Sequence, residues 1–371
     1  MSILIFSLLT FYFLDFREVL PHGFHWLGHI QLIPALISAN IIVLVVLIVL
    51  TLLFGRIYCS SICPMGVFQD IVSWISKCTA KKKKRYRFSK AKNILRWSVF
   101  GVTLIAFFAG FPVLLGLIDP YSAYGRMITN VFKPVYMAGN NLLESIFTSF
   151  GNYTFYKVEI GILSVFSLVV GILTFLIIGY LAWRYGRTFC NTICPVGTLL
   201  GFLSKFSLFK VRIDDTKCNG CGLCAMKCKA SCIDSKNHMV DYSRCVDCFN
   251  CLGSCKQGAL AFKPYKKKES KENIEKEPTD KSKRQFLITG LATAVTVPTV
   301  MAQDKTNSLL GGKVYKRQTP ISPPGSLSAK HLLHHCTSCH LCVSKFPANV
   351  LKQAFMDSGF GGMIQPMMYF E

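Results

Sequence analysis

Long apolar runs separated by short polar stretches dominate the first part of the chain. The clearest run is IPALISANIIVLVVLIVLTLLF at 33–54, and comparable runs cover 94–118 and 159–183. A helix needs about twenty consecutive, mostly apolar residues to cross a bilayer. The pattern therefore predicts membrane-spanning helices at these three places, and the shorter run at 3–14 predicts a fourth.

The polar connections between the runs predict how the helices are oriented. Residues 56–92 carry ten Lys or Arg and one acidic residue, whereas residues 121–157 carry only three cations. Basic connections are retained on the cytoplasmic side of a membrane, so we expect 56–92 inside and 121–157 outside. Apolar residues recur at helical spacing within 121–157, which predicts helices that lie on the membrane surface or pack against the bundle.

The composition agrees with a membrane protein that also carries soluble parts. The 371 residues are 51% hydrophobic, with a mean hydropathy of +0.39 and a formal net charge of +23. Because the basic residues cluster beside the apolar runs, we assign the charge to membrane flanks. We therefore expect a lipid bilayer as a partner and no nucleic acid. The 17 cysteines predict metal or redox chemistry.

One short motif, G-R-x2-C-x3-C-P-x-G, closes two of the predicted spans. The residues that match at a constant offset are Gly55, Arg56, Cys59, Ile62, Cys63, Pro64 and Gly66 in the first copy and Gly186, Arg187, Cys190, Ile193, Cys194, Pro195 and Gly197 in the second. Such a duplication predicts that the membrane domain, residues 1–205, consists of two related helical hairpins.

Both copies follow a helix that runs from outside to inside, so the hairpins are predicted to be parallel repeats about an axis along the membrane normal. Residues at i and i+4 share one face of a continuing helix. We therefore expect the four motif cysteines, Cys59, Cys63, Cys190 and Cys194, to converge on this axis at the cytoplasmic edge.

Three interpretations of the motif cysteines stay open at this point. They are a shared metal or iron–sulfur centre, a pair of redox-active dithiols, or inert cysteines in a helix-end turn set by Pro64 and Pro195. The nearby Arg56 and Arg187 favour thiolates or an electron-rich centre. The motif cysteines are accordingly the candidate catalytic residues.

A second cysteine pattern follows the membrane domain, in residues 206–264. The spacing C-x2-C-x2-C-x3-C occurs twice, at Cys218, Cys221, Cys224 and Cys228 and again at Cys245, Cys248, Cys251 and Cys255. In the bacterial ferredoxin pattern the fourth cysteine of each run binds the other cluster. We therefore assign one 4Fe-4S cluster, site A, to Cys218, Cys221, Cys224 and Cys255. The second cluster, site B, is assigned to Cys245, Cys248, Cys251 and Cys228.

Other uses of these cysteines fit the spacing less well. Zinc sites usually contain separated C-x2-C pairs rather than unbroken triplets, and disulfides are rare in a reducing compartment. Two details depart from the usual ferredoxin run, because Lys229 and Lys256 stand where proline normally follows the fourth cysteine. Cys232 is a ninth thiol without an assigned role. The region 206–264 is thus predicted to be a small α+β ferredoxin-like domain with two clusters.

The rest of the chain divides into three predicted segments. Residues 265–284 are a charged linker, and residues 285–303 resemble an export signal or a fifth membrane helix, either of which would place 304–371 outside the membrane. A third ferredoxin run begins there with Cys336, Cys339 and Cys342, but Phe346 replaces the fourth cysteine. We interpret this segment as an incomplete ferredoxin-like module from a truncated chain. It is a candidate site for a partial cluster unless one of its four histidines, His331, His334, His335 or His340, supplies the missing ligand.

The two membrane motifs followed by a two-cluster ferredoxin resemble the NosR, NapH and CcoG group of bacterial membrane polyferredoxins. The resemblance covers residues 1 to about 262 and rests on the cysteines named above. It implies electron transfer between the quinone pool or a cytoplasmic donor and a membrane or periplasmic redox partner. CcoG-like members are instead tied to copper handling during oxidase assembly. The chain contains no flavin-attachment domain like that of longer NosR-type members.

The sequence therefore predicts a membrane-bound iron–sulfur electron-transfer protein of a prokaryotic cytoplasmic membrane, with the ferredoxin domain in the cytoplasm. We expect an electron-transfer component, similar to part of a quinol dehydrogenase, rather than a stand-alone enzyme. Two alternatives stay open. One is an accessory metal-ion (copper) reductase or assembly factor for a respiratory metalloenzyme, and the other is a redox-sensing regulatory protein.

Overall fold

The computed structural model describes most of the membrane and ferredoxin domains and parts of the C-terminal segment. The described residues are 2–15, 26–79, 86–109, 112–158, 165–264, 321–323, 326, 328–346, 350–354 and 362–368. The described residues all belong to one compact unit, which comprises Met1–Tyr265 and Thr319–Glu371. The predicted linker at 265–284 and the predicted signal-like segment at 285–303 lie outside the described residues.

The chain before the ferredoxin domain is helical. Its α-helices are α1 (Ser2–Leu14), α2 (Trp26–His29), α3 (Leu32–Ile37), α4 (Ile41–Phe54), α5 (Ile57–Ser61), α6 (Pro64–Thr79), α7 (Asn93–Phe108), α8 (Pro112–Ile118), α9 (Pro120–Met127), α10 (Lys133–Ser149), α11 (Val165–Tyr185), α12 (Thr188–Thr192) and α13 (Pro195–Leu203). A π-helical turn, Ile128–Phe132, joins α9 to α10, and a 3-10 turn, Ser204–Phe206, follows α13.

The four predicted spans correspond to helices of very different length. Among the residues that the structure describes, α11 is the one helix that is long and apolar enough to cross a bilayer, with 21 residues and a mean hydropathy of 2.5 in its most apolar window. Helices α1, α4 and α7 are apolar but have 13, 14 and 16 residues. The structure therefore supports one spanning helix by length and composition.

The runs at 33–54 and 94–118, predicted as continuous helices, are each divided. In the first, Ala39 has a φ of +50°, and the Asn40 side chain accepts a hydrogen bond from the amide of Val43 at 3.3 Å, which caps α4. Asn is a favoured helix cap because its side chain satisfies a free amide at the helix start. In the second, Pro112 is the first residue of α8, and proline is disfavoured within a helix but tolerated at its start. Hydropathy alone does not detect these breaks.

The ferredoxin domain is closed by a two-stranded antiparallel ribbon. Strand β1 (Phe209–Ile213) pairs with β4 (Leu260–Pro264), and β2 (Ile233–Asp234) pairs with β3 (Met239–Val240). A short helix, α14 (Leu223–Lys227), and a 3-10 turn, Leu252–Ser254, lie between the strands. Val211 of β1 pairs with Phe262 of β4, so the ribbon joins the first and last residues of the domain. The cysteine loops lie between these two strands in the sequence. This small α+β domain agrees with the sequence prediction.

The C-terminal segment belongs to the same compact unit as the membrane and ferredoxin domains. It contains α15 (Ala329–His335), α16 (Leu341–Lys345) and the antiparallel strands β5 (Leu351–Gln353) and β6 (Pro366–Met368). Its serine and lysine side chains contact α1, because Ser344 Oγ donates to the carbonyl of Phe13 and Lys345 forms an ion pair with Asp15 at 2.9 Å.

The interior between the helices is not purely apolar. Arg56, Arg126 and Arg187 are each 0% exposed and are among the largest fully buried side chains. Burying a charge is costly unless hydrogen bonds or an opposite charge compensate for it. These arginines therefore mark the places where the fold positions polar groups.

Candidate iron–sulfur centres

Site A is a cavity in the ferredoxin domain. Its four predicted thiols, Cys218, Cys221, Cys224 and Cys255, line one space of about 360 Å³ together with apolar side chains that include Ile213 and Leu260. The fourth thiol comes from the second cysteine run, as the crossed ferredoxin pattern requires.

Site B is a second cavity of about 370 Å³. It is lined by the other four predicted thiols, Cys228, Cys245, Cys248 and Cys251, and also by Cys232. The structure thus brings together the same two sets of cysteines that the sequence assigns to two clusters. The thiols differ in burial, because Cys228 and Cys251 of site B are buried whereas Cys221 of site A is exposed.

The shape of these cavities bears on what they can hold. Among the described residues, no group of three or more His, Cys, Asp or Glu side chains is arranged to hold a single metal ion. A zinc ion draws its ligands onto one point, whereas a 4Fe-4S cluster fills the space between its four thiolates. Cavities with thiols on several walls therefore fit a cluster better than they fit the zinc ion considered as an alternative.

The backbone of both cysteine loops adopts the same left-handed positions. Gly220 and Gly222 in the site A loop have φ values of +69° and +73°, and Asp247 and Phe249 occupy the equivalent positions in the site B loop with +47° and +56°. Residues other than glycine are strained in this region by roughly 1–3 kcal/mol and persist there mostly at functional sites. The repeated left-handed conformation turns each loop around its cavity. The sequence predicts this conformation only in the site A loop, where the two positions are glycines.

Cys232 is a thiol of site B that the sequence left without a role. Its Sγ lies 3.5 Å from Sγ of Cys228 in a hydrogen bond, and Cys232 is 1% exposed. This hydrogen bond is the largest of the effects that lower the pKa of Cys228 to about 6. A thiol that readily forms a thiolate is a good ligand for iron.

The duplicated motifs do not continue as single helices. Helix α5 ends at Ser61 and α6 begins at Pro64, while α12 ends at Thr192 and α13 begins at Pro195. The assumption of one continuing helix was therefore wrong, because proline starts a new helix in each copy. Cys194 caps α13, since its Sγ accepts a hydrogen bond from the amide of Gly197 at 3.3 Å.

The two motifs nevertheless face each other through a reciprocal exchange. Arg56 of the first copy donates through Nη2 to the carbonyl of Cys190 at 3.2 Å, and Arg187 of the second copy donates through Nη1 to the carbonyl of Cys59 at 3.0 Å. This exchange is what a two-fold relation between the repeats predicts.

The motif glycines make this approach possible. A Cβ atom at Gly66 would overlap the carbonyl of Cys59, and one at Gly197 would overlap the carbonyl of Cys190. Glycine is therefore required where each proline-initiated helix crosses its own cysteine turn.

The motif cysteines lie in a buried environment. Each is 2–3% exposed, and none forms a disulfide. Burial is the main cause that raises the pKa of Cys190 to about 11 and the pKa of Cys63 and Cys194 well above the ordinary value, and the neighbouring thiols add to it. Arg187 and Arg56 lower the pKa of Cys190, as predicted, but their effect is smaller than that of burial.

Two polar residues near the motifs were missed by the sequence reasoning. Asp70 forms a two-point ion pair with Arg187, at 2.8 Å from Nε and 2.7 Å from Nη2, and Gln69 Nε2 donates to Sγ of Cys190 at 3.1 Å. The sequence did contain a signal for Asp70, because it is the one acidic residue in the basic stretch 56–92.

The first motif is bonded directly to the site B loop. The amide of Arg56 donates to Oδ2 of Asp247 at 2.9 Å, and its Nη1 donates to the carbonyl of Ser243 at 3.1 Å. Both acceptors lie within two residues of Cys245, the first thiol of the loop. The first motif therefore contacts site B through its backbone and its arginine side chain.

The second motif joins the same domain from the other side of site B. The amide of Arg187 donates to the carbonyl of Lys229 at 3.1 Å. Lys229 directly follows Cys228, the thiol that the first cysteine run contributes to site B. Site B therefore lies next to both copies of the duplicated motif.

The C-terminal cysteines lie apart from sites A and B. Cys336, Cys339 and Cys342 are on the loop between α15 and α16 and at the start of α16, and Arg126 Nη1 donates to the carbonyl of Ser338 within this loop at 3.2 Å. His340 does not replace the missing fourth ligand, because its Nδ1 bonds with Asn130 at 3.2 Å and its Nε2 with the carbonyl of Ile364 at 3.1 Å.

The remaining candidate histidines lie on α15, just before the loop. His331 and His335 stack on each other with ring centroids 4.0 Å apart, and His334 is exposed.

Comparison with known proteins agrees with the cysteine chemistry. A family model, Fer4_5, described as a 4Fe-4S binding domain, matches residues 37–85 and 165–214. These two segments contain the duplicated motifs and end before the first cysteine of site A. No solved structure matches the chain significantly.

Several curated proteins are similar to more than half of the chain. The uncharacterized protein MJ0749 of Methanocaldococcus jannaschii is 28% identical over 237 residues, which cover 64% of this chain and 76% of that protein. The putative electron transport protein YccM of Escherichia coli is 25% identical over 60% of this chain and 55% of its own length. The ferredoxin-type protein NapH of Escherichia coli is 26% identical over 63% of this chain and 70% of its own length.

The family model and these relatives support the resemblance to the NapH group and an iron–sulfur electron-transfer role. The chain is similar to the ferredoxin-type protein NapH and to YccM, and two of its segments match a 4Fe-4S binding domain.

Proposed function

We propose that the chain is a membrane-bound electron-transfer protein that passes electrons between a quinone or a cytoplasmic donor and a membrane or periplasmic redox partner. The observation that carries the proposal is the set of hydrogen bonds from Arg56 to Asp247 and Ser243, which join the site B loop to the duplicated motif. Electron transfer requires closely spaced centres, and these bonds hold two of the candidate centres together.

Sites A and B are proposed to bind one 4Fe-4S cluster each through the eight thiols already assigned to them. A bound cluster supplies reversible one-electron transfer, and the protein tunes it through burial and hydrogen bonds to sulfur. Cys232 is proposed to support site B by its hydrogen bond to Cys228. The left-handed residues of each loop turn the backbone around the cavity.

Site A is proposed to receive electrons from a cytoplasmic partner. Cys221 is exposed, and Leu223 beside it is a large hydrophobic residue with 37% exposure. Lys217 and Lys227 are also exposed and flank the loop. A surface with a small apolar centre and basic flanks favours a partner with an acidic rim.

The motif cysteines are proposed to form a further iron–sulfur centre. The 4Fe-4S family model matches the two segments that contain them, and the reciprocal arginine bonds bring these segments face to face. All four thiols are buried, and buried cysteines are poor nucleophiles, which makes a redox-active dithiol pair less suitable. Thiols must lose their protons to bind iron, and the positive charge of the iron would compensate for the thiolates.

The proposal is tested by anaerobic iron and sulfide analysis together with EPR spectroscopy. The wild type is compared with a Cys248→Ser variant of site B, a Cys59→Ser/Cys190→Ser double variant, and a Cys78→Ser control whose thiol is exposed and outside every motif. We expect iron loss and a distinct spectral change in each of the first two variants, with no change in the control. Iron-free wild-type protein would contradict the electron-transfer function. An unchanged double variant would contradict the further centre alone.

A further inference from the structure

The C-terminal loop, residues 336–342, has the backbone of a cluster-binding loop. Ser338 and His340 have φ values of +54° and +62°. They occupy the positions held by Gly220 and Gly222 in the site A loop, relative to the cysteines. A short helix follows in both cases, α14 after Gly222 and α16 after His340. Because neither Ser338 nor His340 is glycine, the conformation is strained and points to a function.

The loop is packed closely against helices α8 and α9. A Cβ atom at Gly116 would lie 2.7 Å from the carbonyl of Thr337, and one at Gly125 would lie 2.5 Å from the carbonyl of Cys339. Because Gly116 and Gly125 have no side chains, the backbone of the loop can pack directly against helices α8 and α9. A larger residue at either position would prevent this close packing.

Two buried cations of the membrane domain contact the C-terminal segment, Arg126 at the loop and Lys133 at helix α16, which follows the loop. Arg126 is 0% exposed and donates to the carbonyls of Gly116 and Ser338, and its Nε has no hydrogen-bond acceptor in the described part of the chain. Lys133 is 9% exposed, and its Nζ donates to the carbonyl and hydroxyl oxygens of Ser344. Within the described ranges neither side chain forms an ion pair. Buried cations bonded mainly to neutral oxygens favour an anion nearby.

The loop lies at the end of α11 opposite to the ferredoxin domain. A Cβ atom at Gly171 would lie 3.4 Å from the carbonyl of Arg126, whereas one at Gly186 would lie 2.6 Å from the carbonyl of Lys229. A helix rises about 1.5 Å per residue, so these two contacts are separated by roughly 22 Å along α11. The cysteine loops at the two ends are therefore on opposite sides of the membrane domain.

A buried carboxylate lies next to the residues that receive the C-terminal loop. Asp119 is 1% exposed and caps α9, where it accepts a hydrogen bond from the amide of Ser122 at 2.8 Å. It lies in the chain between Gly116 and Gly125, whose Cβ positions would meet the carbonyls of Thr337 and Cys339.

We propose that the C-terminal loop binds an iron–sulfur cluster through Cys336, Cys339 and Cys342 in this docked position, with Arg126 and Lys133 compensating its negative charge. The inference rests on the proposed function and extends it to the opposite side of the membrane domain. One electron leaves the centre at the motif cysteines, which is oxidised, and reduces the cluster of the C-terminal loop. No covalent bond forms or breaks, and a redox protein on that side is the final acceptor.

The first test is the loss of this cluster. The full chain is purified anaerobically as wild type, Cys339→Ser, Cys248→Ser and the control Cys78→Ser. We expect Cys339→Ser to lose iron and one EPR signal while the signal that Cys248→Ser removes persists. Unchanged iron and spectrum in Cys339→Ser would overturn the inference. If the wild type also lacks the signal that depends on Cys248, the proposed function fails instead.

The second test examines Arg126 and remains available if the cysteine variant does not fold. In a redox titration followed by EPR, Arg126→Gln should raise the ratio of oxidised to reduced C-terminal cluster about tenfold at a fixed potential, equivalent to ~59 mV for one electron. Arg126→Lys should restore most of the shift, and Lys157→Gln, an exposed cation, should cause none. An equal titration for Arg126→Gln and wild type would contradict charge compensation by Arg126.

Discussion

Two arginines connect the two halves of the membrane domain by hydrogen bonds. Arg56 and Arg187 each donate to the cysteine carbonyl of the opposite motif. Their other partners differ, because Arg187 pairs with the carboxylate of Asp70 whereas Arg56 bonds to Asn191 and to the carbonyl of Ser243. The repeats are therefore alike in backbone contacts and different in how each buried charge is compensated.

Replacing Asp70 should expose this difference. Asp70→Asn leaves the buried Arg187 without its anion, so we expect a loss of about 3 kcal/mol in the free energy of unfolding, within the range for breaking a buried ion pair. Chemical denaturation at neutral pH measures the loss. Asp214→Asn, which changes an exposed carboxylate, should have little effect.

The same ion pair predicts a dependence on pH. Burial alone would raise the pKa of Asp70, but Arg187 and Lys229 together bring it below its ordinary value. The stabilisation is therefore complete above the unfolded-state pKa and is lost as the pH falls through the lower folded-state pKa. We expect Asp70→Asn to flatten the acid side of the stability profile. An acid side as steep as that of the wild type would contradict the assignment.

The motif glycines give a further prediction about single residues. Gly66→Ala places a methyl group against the carbonyl of Cys59 and should shift the cysteine turn, with loss of iron from the motif centre and lower stability. Gly139→Ala is a matched control, since a Cβ atom there meets nothing within 4 Å and α10 should gain up to about 1 kcal/mol from the better helix former. Equal iron content in the two variants would contradict the role of Gly66.

At the scale of elements, the junction of α4 and α5 with the site B loop connects the membrane and ferredoxin domains. A Cβ atom at Gly55, where α4 ends, would overlap the carboxylate of Asp247, and Phe54 stacks on Phe209 of β1 at 5.7 Å. The amide of Leu208 also donates to the carbonyl of Leu52 at 2.8 Å. Helix, strand and cysteine loop are thus held in one arrangement.

Asp247 should influence the potential of site B. Asp247→Asn removes a negative charge beside Cys245, so the cluster should be easier to reduce, with the reduced-to-oxidised ratio rising up to about tenfold at a fixed potential, or ~59 mV. An EPR-monitored redox titration measures this ratio. Asp214→Asn, which changes an exposed carboxylate nearer to site A, should leave this ratio unchanged. A site B potential unaffected by Asp247→Asn would contradict the coupling.

Sequence reasoning predicted some of these elements well and others poorly. The spacing of the eight ferredoxin cysteines predicts how they divide between the two cavities, because the short loops leave few ways to arrange them. It does not predict Cys232, which also lines site B. The duplicated motif predicts that two distant segments meet. The helix breaks before Asn40 and Pro112 were missed because the apolar pattern continues across them.

Contacts between distant segments were the least predictable. The bond of Arg126 to Ser338 spans 212 positions, and no local pattern marks it. Likewise, the left-handed conformation of Phe249 and Ser338 is imposed by the loop, since neither residue favours it.

At the scale of the whole molecule, the cysteine sites lie in different surroundings. Site A has an exposed thiol, site B is bonded to the duplicated motifs, and the C-terminal loop packs closely against Gly116 and Gly125. The proposed path of electrons enters at the ferredoxin domain and continues through the duplicated motifs.

The most direct test of the central claim is freeze-quench EPR after the full chain receives one equivalent of reductant under anaerobic conditions. In the wild type, the signals that depend on Cys221 and Cys248 should appear first and then decay as electrons reach the motif centre. In Cys59→Ser/Cys190→Ser, those early signals should persist. Identical decay in the wild type and the double variant would contradict the passage of electrons through the duplicated motifs.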